Sequence, residues 1–216
     1  MQLKYTLCSF FFISAFLVLI IYSGASFYQS LYRNVSEIHL LNLNDERDNL
    51  HTFELTEVLQ SKVNQFIFPL PHDLVISAKL LGWMNHSTQS YSNVKEIEEV
   101  IKLSVSLRPT WSPAHTQLFK LYWRVGNEDK ANEMLRLANM FGPNRTDTML
   151  TIVDYTFTNW LFASQEDKLR ASKQLLTISE SWKHRSVLNQ MITYSPGKQR
   201  ICNMLAFNKV KVSACQ

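Results

Sequence analysis

From Tyr5 to Tyr32 the chain carries no Asp, Glu, Lys or Arg. That single run constrains the protein more than any other feature. A helix needs about 20 mostly apolar residues to cross the hydrocarbon core of a bilayer. The segment Leu7-Cys-Ser-Phe-Phe-Phe-Ile-Ser-Ala-Phe-Leu-Val-Leu-Ile-Ile-Tyr22 supplies most of them. Tyr22, Phe27, Tyr28 and Tyr32 follow as an aromatic belt of the kind found where a helix leaves the membrane. The reading is an uncleaved anchor over residues 1–30. The alternative is a signal peptide cleaved near Ser23-Gly24-Ala25, where small residues stand at peptidase spacing. In either case the chain beyond residue 30 is expected on the extracytoplasmic side, because Lys4 and the terminal amine lie on the short side; Arg33 weakens that asymmetry.

The rest of the chain reads as helical. Only 5 Gly and 6 Pro in 216 residues are too few turn formers for a many-stranded sandwich or barrel. Apolar positions recur at steps of three and four, as in Leu55, Val58, Leu59, Val63 and Phe66. Pro69 and Pro71 end that helix, and Asp73 is expected to cap the next, which runs to about Met84. Further helices are expected over 95–107, 112–125, 129–141, 147–163, 166–179, 183–194 and 198–207, with Ser112 and Asp129 at two of the starts. The expected fold is all-α. An anchor (1–30) and a helical extension (31–70) precede a tetratricopeptide-like array of helical hairpins (71–208) and a short tail (209–216).

The repeat reading rests on residues 112–145. Pro109 and Pro143 lie 34 positions apart, the tetratricopeptide period. With Ser112 as repeat position one, Leu118 is seventh, Tyr122 eleventh, Gly126 fifteenth, Ala131 twentieth, Ala138 twenty-seventh and Pro143 thirty-second. Small side chains at Ala131 and Ala138 would let two helices approach closely. Leu118 and Tyr122, one turn apart, would fill the contact. Gly126 would permit the tight turn and Pro143 would forbid continuation. His115 stands where a large aromatic is usual, and Phe119 where a small residue is usual. A generic helical hairpin is the alternative.

Charge and cysteine usage narrow the function classes. A net charge of +4, scattered along the chain, is not the basic stripe of a nucleic-acid binder. It suits an acidic partner such as a uronic-acid polymer or an anionic lipid surface. Cys8 lies in the apolar segment and is expected to be buried. Cys202 and Cys215, 13 positions apart, either close a loop in an oxidising compartment or are two unrelated thiols. No CxxC or His/Cys cluster with ligand spacing occurs, so no metal or cofactor is expected. No paired-carboxylate or triad pattern stands out, and His184 has no acid placed to orient it, so the expectation is a non-enzyme.

In a tetratricopeptide hairpin the first helix lines a groove, which in this register would present Thr116, Lys120, Trp123 and Arg124. Trp123 would stack on a sugar ring or peptide plane while Lys120 and Arg124 pair with carboxylates. A half-buried Trp on an ordinary amphipathic surface is the competing reading.

The layout resembles the bacterial VpsP family of polysaccharide biosynthesis proteins. The likeness is carried by Leu107-Arg-Pro-Thr-Trp-Ser-Pro113, the Gly126-Asn-Glu-Asp turn, Phe141-Gly-Pro143 and the helix containing Trp160, over roughly residues 50–165. It implies an inner-membrane accessory protein whose partners are envelope polysaccharide-assembly proteins or the anionic polysaccharide itself. It implies no catalytic residues. An adaptor of a pilus, secretion or cytochrome-maturation system is the alternative, with a glycan-modifying enzyme behind it.

Overall fold

A computed structural model describes residues 2–43, 50–89 and 93–216, with the side chains of 2–10 and of Leu50 excepted. The expected burial of Cys8 therefore lies outside the described residues. The described chain is helical throughout, and no strand occurs among the described residues. It divides into two compact units, Met1–Leu107 and Arg108–Gln216. That boundary falls inside the range 71–208 that the sequence suggested as one helical domain. Residues 71–107 group with the first helix instead, because that helix continues past its uncharged run and packs on them.

The first unit is organised by α1 (Gln2–Asn42), a single helix of 41 residues. Its stretch from Phe11 onward is long and apolar enough to cross a membrane, and the most apolar part is not buried against the protein. Farther along, Gln29, Ser36 and His39 are buried, and Tyr32 and Leu40 pack on a core of Leu59, Val63, Phe66, Ile76 and Leu80. These residues come from α2 (Leu50–Asn64), the loop after it and α3 (Pro71–Ser87). The domain-facing residues of α1 follow the three-and-four spacing that keeps one stripe of a helix turned to its neighbour.

Asp73 is a correction to the expected cap. The helix starts two residues earlier, at Pro71, where a missing N–H costs nothing. Asp73 accepts from the Leu70 N–H at 2.9 Å and also takes the Arg33 fork at 2.5 and 3.0 Å. It is 1% exposed, so the anchor helix and α3 are tied by a bidentate buried ion pair. Glu37 bonds His72 on the same seam. α4 (Val94–Leu107) closes the unit with Ile97 and Ile101, and its Ser104 hydroxyl donates to the Pro71 carbonyl at 2.9 Å.

The second unit pairs α5 (Ser112–Arg124) with α6 (Glu128–Phe141), and α7 (Thr146–Thr158) with α8 (Gln165–Glu180). α9 (Arg185–Tyr194) and α10 (Lys198–Phe207) complete it. Ala131 and Ala138 are buried where α6 meets α5, at 1% and 0% exposure. Gly126 turns the chain between the two helices at φ +74°, a conformation that glycine adopts without steric cost. At the far end of the hairpin a Cβ on Gly142 would stand 2.6 Å from Ser112 Cβ, so only glycine fits.

Two further caps are corrected. Ser112 does not cap α5; Trp111 occupies that position. The Ser112 hydroxyl instead donates to the Ala138 carbonyl at 2.8 Å and meets Thr148 Oγ1 at 2.6 Å, stitching α5 to the end of α6 and the start of α7. α6 opens at Glu128 rather than Asp129, because Asn127 caps it by accepting from the Lys130 N–H at 3.2 Å. α7 stops at Thr158, short of the expected 163, and leaves Trp160 to Ala163 in a turn. The core around α7–α10 holds Val153, Phe157, Leu175, Ile178, Leu188, Ile192, Ile201 and Leu205. Cys202 and Cys215 are bonded, with their Cα atoms 5.5 Å apart, so the tail folds back onto the unit instead of trailing from it. Val212 is buried, and the Ala214 N–H donates to Asn189 Oδ1 at 3.0 Å.

Candidate functional site

The four residues expected to line a groove on α5 are divided between its surface and its packing face. Thr116 does not line it: the residue is fully buried and its hydroxyl donates to the Ser112 carbonyl at 3.1 Å. The reason is register. The α5 stripe through Ser112, His115, Phe119 and Tyr122 is the packing face, and Thr116 sits within it. His115, in the place of the usual aromatic, packs its ring on Phe141 at 5.4 Å and donates from Nε2 to the Pro109 carbonyl at 2.7 Å. Leu118 and Tyr122 are buried.

Lys120 and Arg124 are exposed, and Trp123 is half-buried. The Trp123 ring is occupied by the protein itself. It stacks on Phe119 at 5.7 Å and meets the edge of Tyr155 at 5.4 Å. Phe119 and Tyr155 complete the trio at 5.2 Å. Such aromatic contacts add about 0.5–1.5 kcal/mol each beyond area burial, so Trp123 serves the join between α5 and α7 before it serves a ligand.

Sequence reasoning missed the partners on α7. Asp154 accepts from the Ser195 hydroxyl at 2.5 Å, and that hydroxyl accepts from the Gly197 N–H at 3.1 Å. Burial pushes the Asp154 carboxyl above the usual carboxylate range; the Ser195 hydrogen bond and the Lys120 charge pull the other way. Tyr155 is likewise pushed up, by burial first and then by the charges of Glu128 and Asp167. No periodicity points to these two residues, because their significance comes from neighbours 23 to 41 positions away.

A cleft also opens beside Tyr155 of α7. It has a volume of about 780 Å³ and runs between α6 and α8, with Ile152, Tyr155 and Thr156 of α7 as its floor. Its walls are polar and carry one carboxylate, Asp167. Asn132, Arg136 and Asn139 come from α6; Asn159, Ser164, Asp167 and Arg170 come from α7's exit turn and α8. The Tyr155 hydroxyl donates to Asn132 Oδ1 at 3.0 Å, which holds the Asn132 amide in place at the cleft wall. Arg170 is held by Glu166 at 2.5 Å and Asp167 at 3.2 Å, whereas Arg136 is exposed. Phe162, at the rim, is 91% exposed. An exposed aromatic beside planar, forked donors suits a sugar ring carrying a carboxylate: the ring face stacks and the guanidinium takes the charge.

Among the described residues no group of three or more His, Cys, Asp or Glu side chains could hold a metal ion. The His184 ring meets the Thr146 hydroxyl, at 3.2 Å from Nε2.

No family model matches this chain, and neither a curated protein nor a solved structure does.

Proposed function

We propose that this protein is a non-enzymatic, membrane-anchored helical scaffold of bacterial polysaccharide assembly that holds an acidic glycan in the cleft between α6 and α8. The observation that carries the reading is the cleft's chemistry: an exposed arginine, Arg136, the Asn132 and Asn139 amides and a solvent-facing Phe162 line one cleft in which Asp167 is the single carboxylate. An acidic chain with a ring every few ångströms meets both requirements at once, stacking and charge pairing. Tetratricopeptide-like stacking would supply the rigid walls. The resemblance to polysaccharide biosynthesis proteins points to the same ligand class.

Two observations support a periplasmic position for the folded part, at the inner membrane. The Cys202–Cys215 bond belongs to an oxidising compartment. The apolar start of α1 supplies the single span. Anchoring raises the local concentration of protein around a membrane-bound polymerase or exporter, so modest affinity for the emerging chain suffices.

The test is titration of the full chain, in lipid nanodiscs, with a uronic-acid oligomer and with a neutral glucan of equal length. The acidic oligomer binds and the neutral one does not. Arg136→Ala weakens binding about tenfold or more, since a hydrogen bond to a charged group contributes about 1.5–3 kcal/mol. Equal binding of both oligomers, or no effect of Arg136→Ala, refutes the assignment. Lys120→Ser with Arg124→Ser, at two exposed positions that do not line the cleft, separates the two sites, since it leaves glycan binding unchanged if the cleft is the site.

A further inference from the structure

We infer that the loop between α2 and α3 enters the headgroup region of the same bilayer that α1 spans, so that the first unit sits on the membrane at a fixed height. The loop runs Gln65-Phe-Ile-Phe-Pro-Leu-Pro71 and contains no charged residue. Ile67, Phe68 and Leu70 project outward at 73%, 59% and 49% exposure, although buried aliphatic positions lie on both sides of them in sequence. Three neighbouring large apolar side chains in water would be a liability. Their position supplies the occupant. The Phe68 ring lies 6.2 Å from the ring of Tyr22, on the uncharged run of α1. The loop is thus held against the membrane-spanning helix itself, at the residue where its aromatic belt begins.

Helix geometry gives the same level. About 20 residues at 1.5 Å each fill a hydrocarbon core of about 30 Å. Counted from Tyr5, such a span ends within a turn of Tyr22. Arg33, with its ion pair to Asp73, then stands about 16 Å higher, in water.

The loop's backbone is suited to that zone, where an unmet N–H is costly. Pro69 and Pro71 have no N–H. The Gln65 and Phe66 amides donate to Lys62 and Val63 carbonyls, and the Leu70 amide donates to Asp73. Of the loop's amides, those of Ile67 and Phe68 alone have no acceptor among the described residues. Two amides are few enough for lipid headgroups and interfacial water to satisfy.

The inference rests on α1 being a membrane span, and the experiment separates the two. The full chain with Cys8→Ser carries one added cysteine, Phe68→Cys or Ile67→Cys, labelled with an environment-sensitive fluorophore under non-reducing conditions and reconstituted in phosphatidylcholine/phosphatidylglycerol vesicles. Leu17→Cys reports the span, and the exposed Leu103→Cys of α4 reports water. Lipids bearing a nitroxide near the glycerol backbone quench the labels at 67 and 68 several-fold more than the label at 103, and aqueous iodide quenches them less. A loop label quenched by iodide as strongly as that at 103 overturns the inference while the label at 17, quenched by deep nitroxides, upholds the span. A loop label shielded from both quenchers overturns it in favour of a protein occupant. A label at 17 that lipid nitroxides do not quench overturns the span and the inference together.

Discussion

The ion pair between Arg33 and Asp73 is where the anchor's connection to the folded domain can be tested most sharply. Asp73 is almost fully buried and accepts three hydrogen bonds, two from Arg33 and one from the Leu70 N–H. Asp73→Asn keeps an oxygen for Leu70 but removes the charge that balances a guanidinium with only 22% of its side chain exposed. Removing one partner of a buried pair costs about 3–5 kcal/mol. Arg33 keeps some water, so the low end applies, about 3 kcal/mol. Hydrogen exchange of the α3 amides in the full chain should then accelerate roughly 150-fold, at about 1.4 kcal/mol per decade. Arg33→Met combined with Asp73→Asn orphans no charge and should recover at least about 1 kcal/mol of that loss, although each change separately removes the pair. Should Asp73→Asn exchange within a few-fold of the parent, or the double variant exchange faster than the single one, the pair is not what fastens α1 to α3.

Two other outcomes follow from the second unit. Ala138→Leu places extra methylenes where α6 meets α5 at zero exposure and beside the Ser112 bond, and should cost about 1–3 kcal/mol or more, seen as a lowered thermal midpoint by near-ultraviolet circular dichroism; an unchanged midpoint would mean that no close helix contact runs through that position. For Asp154 the folded carboxyl holds its proton more tightly than the unfolded chain does. The unfolded state therefore releases its proton first as pH rises, and stability falls through the window above about pH 4. The stability of the parent relative to Asp154→Asn should decline across that window in chemical denaturation, and a difference independent of pH would contradict the burial argument.

Much of the local structure was legible in the sequence because local signals carry it. The span follows from a run without charge, and α10 from an apolar period bounded by Pro196-Gly197 and Asn208. The hairpin of α5 and α6 was legible because alanines and a glycine at the crossing have few other uses; Ala131, Ala138 and Gly126 stand where close approach and a positive φ require them. Caps were less legible. Ser112 and Asp73 carry the right chemistry for an N-cap but were claimed by partners 26 and 40 residues away, which no local rule contains. The candidate site was least legible. Thr116 looked available until the packing face of α5 was fixed by Phe119 against Tyr155. Arg136, Asn132 and Phe162 share no period, and they meet because α6, α7 and α8 pack as they do.

By itself, then, the sequence determined that this chain is helical, that its first helix is apolar enough for a bilayer, and where one close-packed hairpin lies. Those properties depend on side-chain chemistry repeating at helical spacing. Tertiary structure alone decided what the extension of the first helix packs against, that the tail is clasped by a disulfide, and which polar side chains share a cleft. Each of those is a contact between residues far apart in the chain, and the physical chemistry of such a contact exists only once the helices are in place.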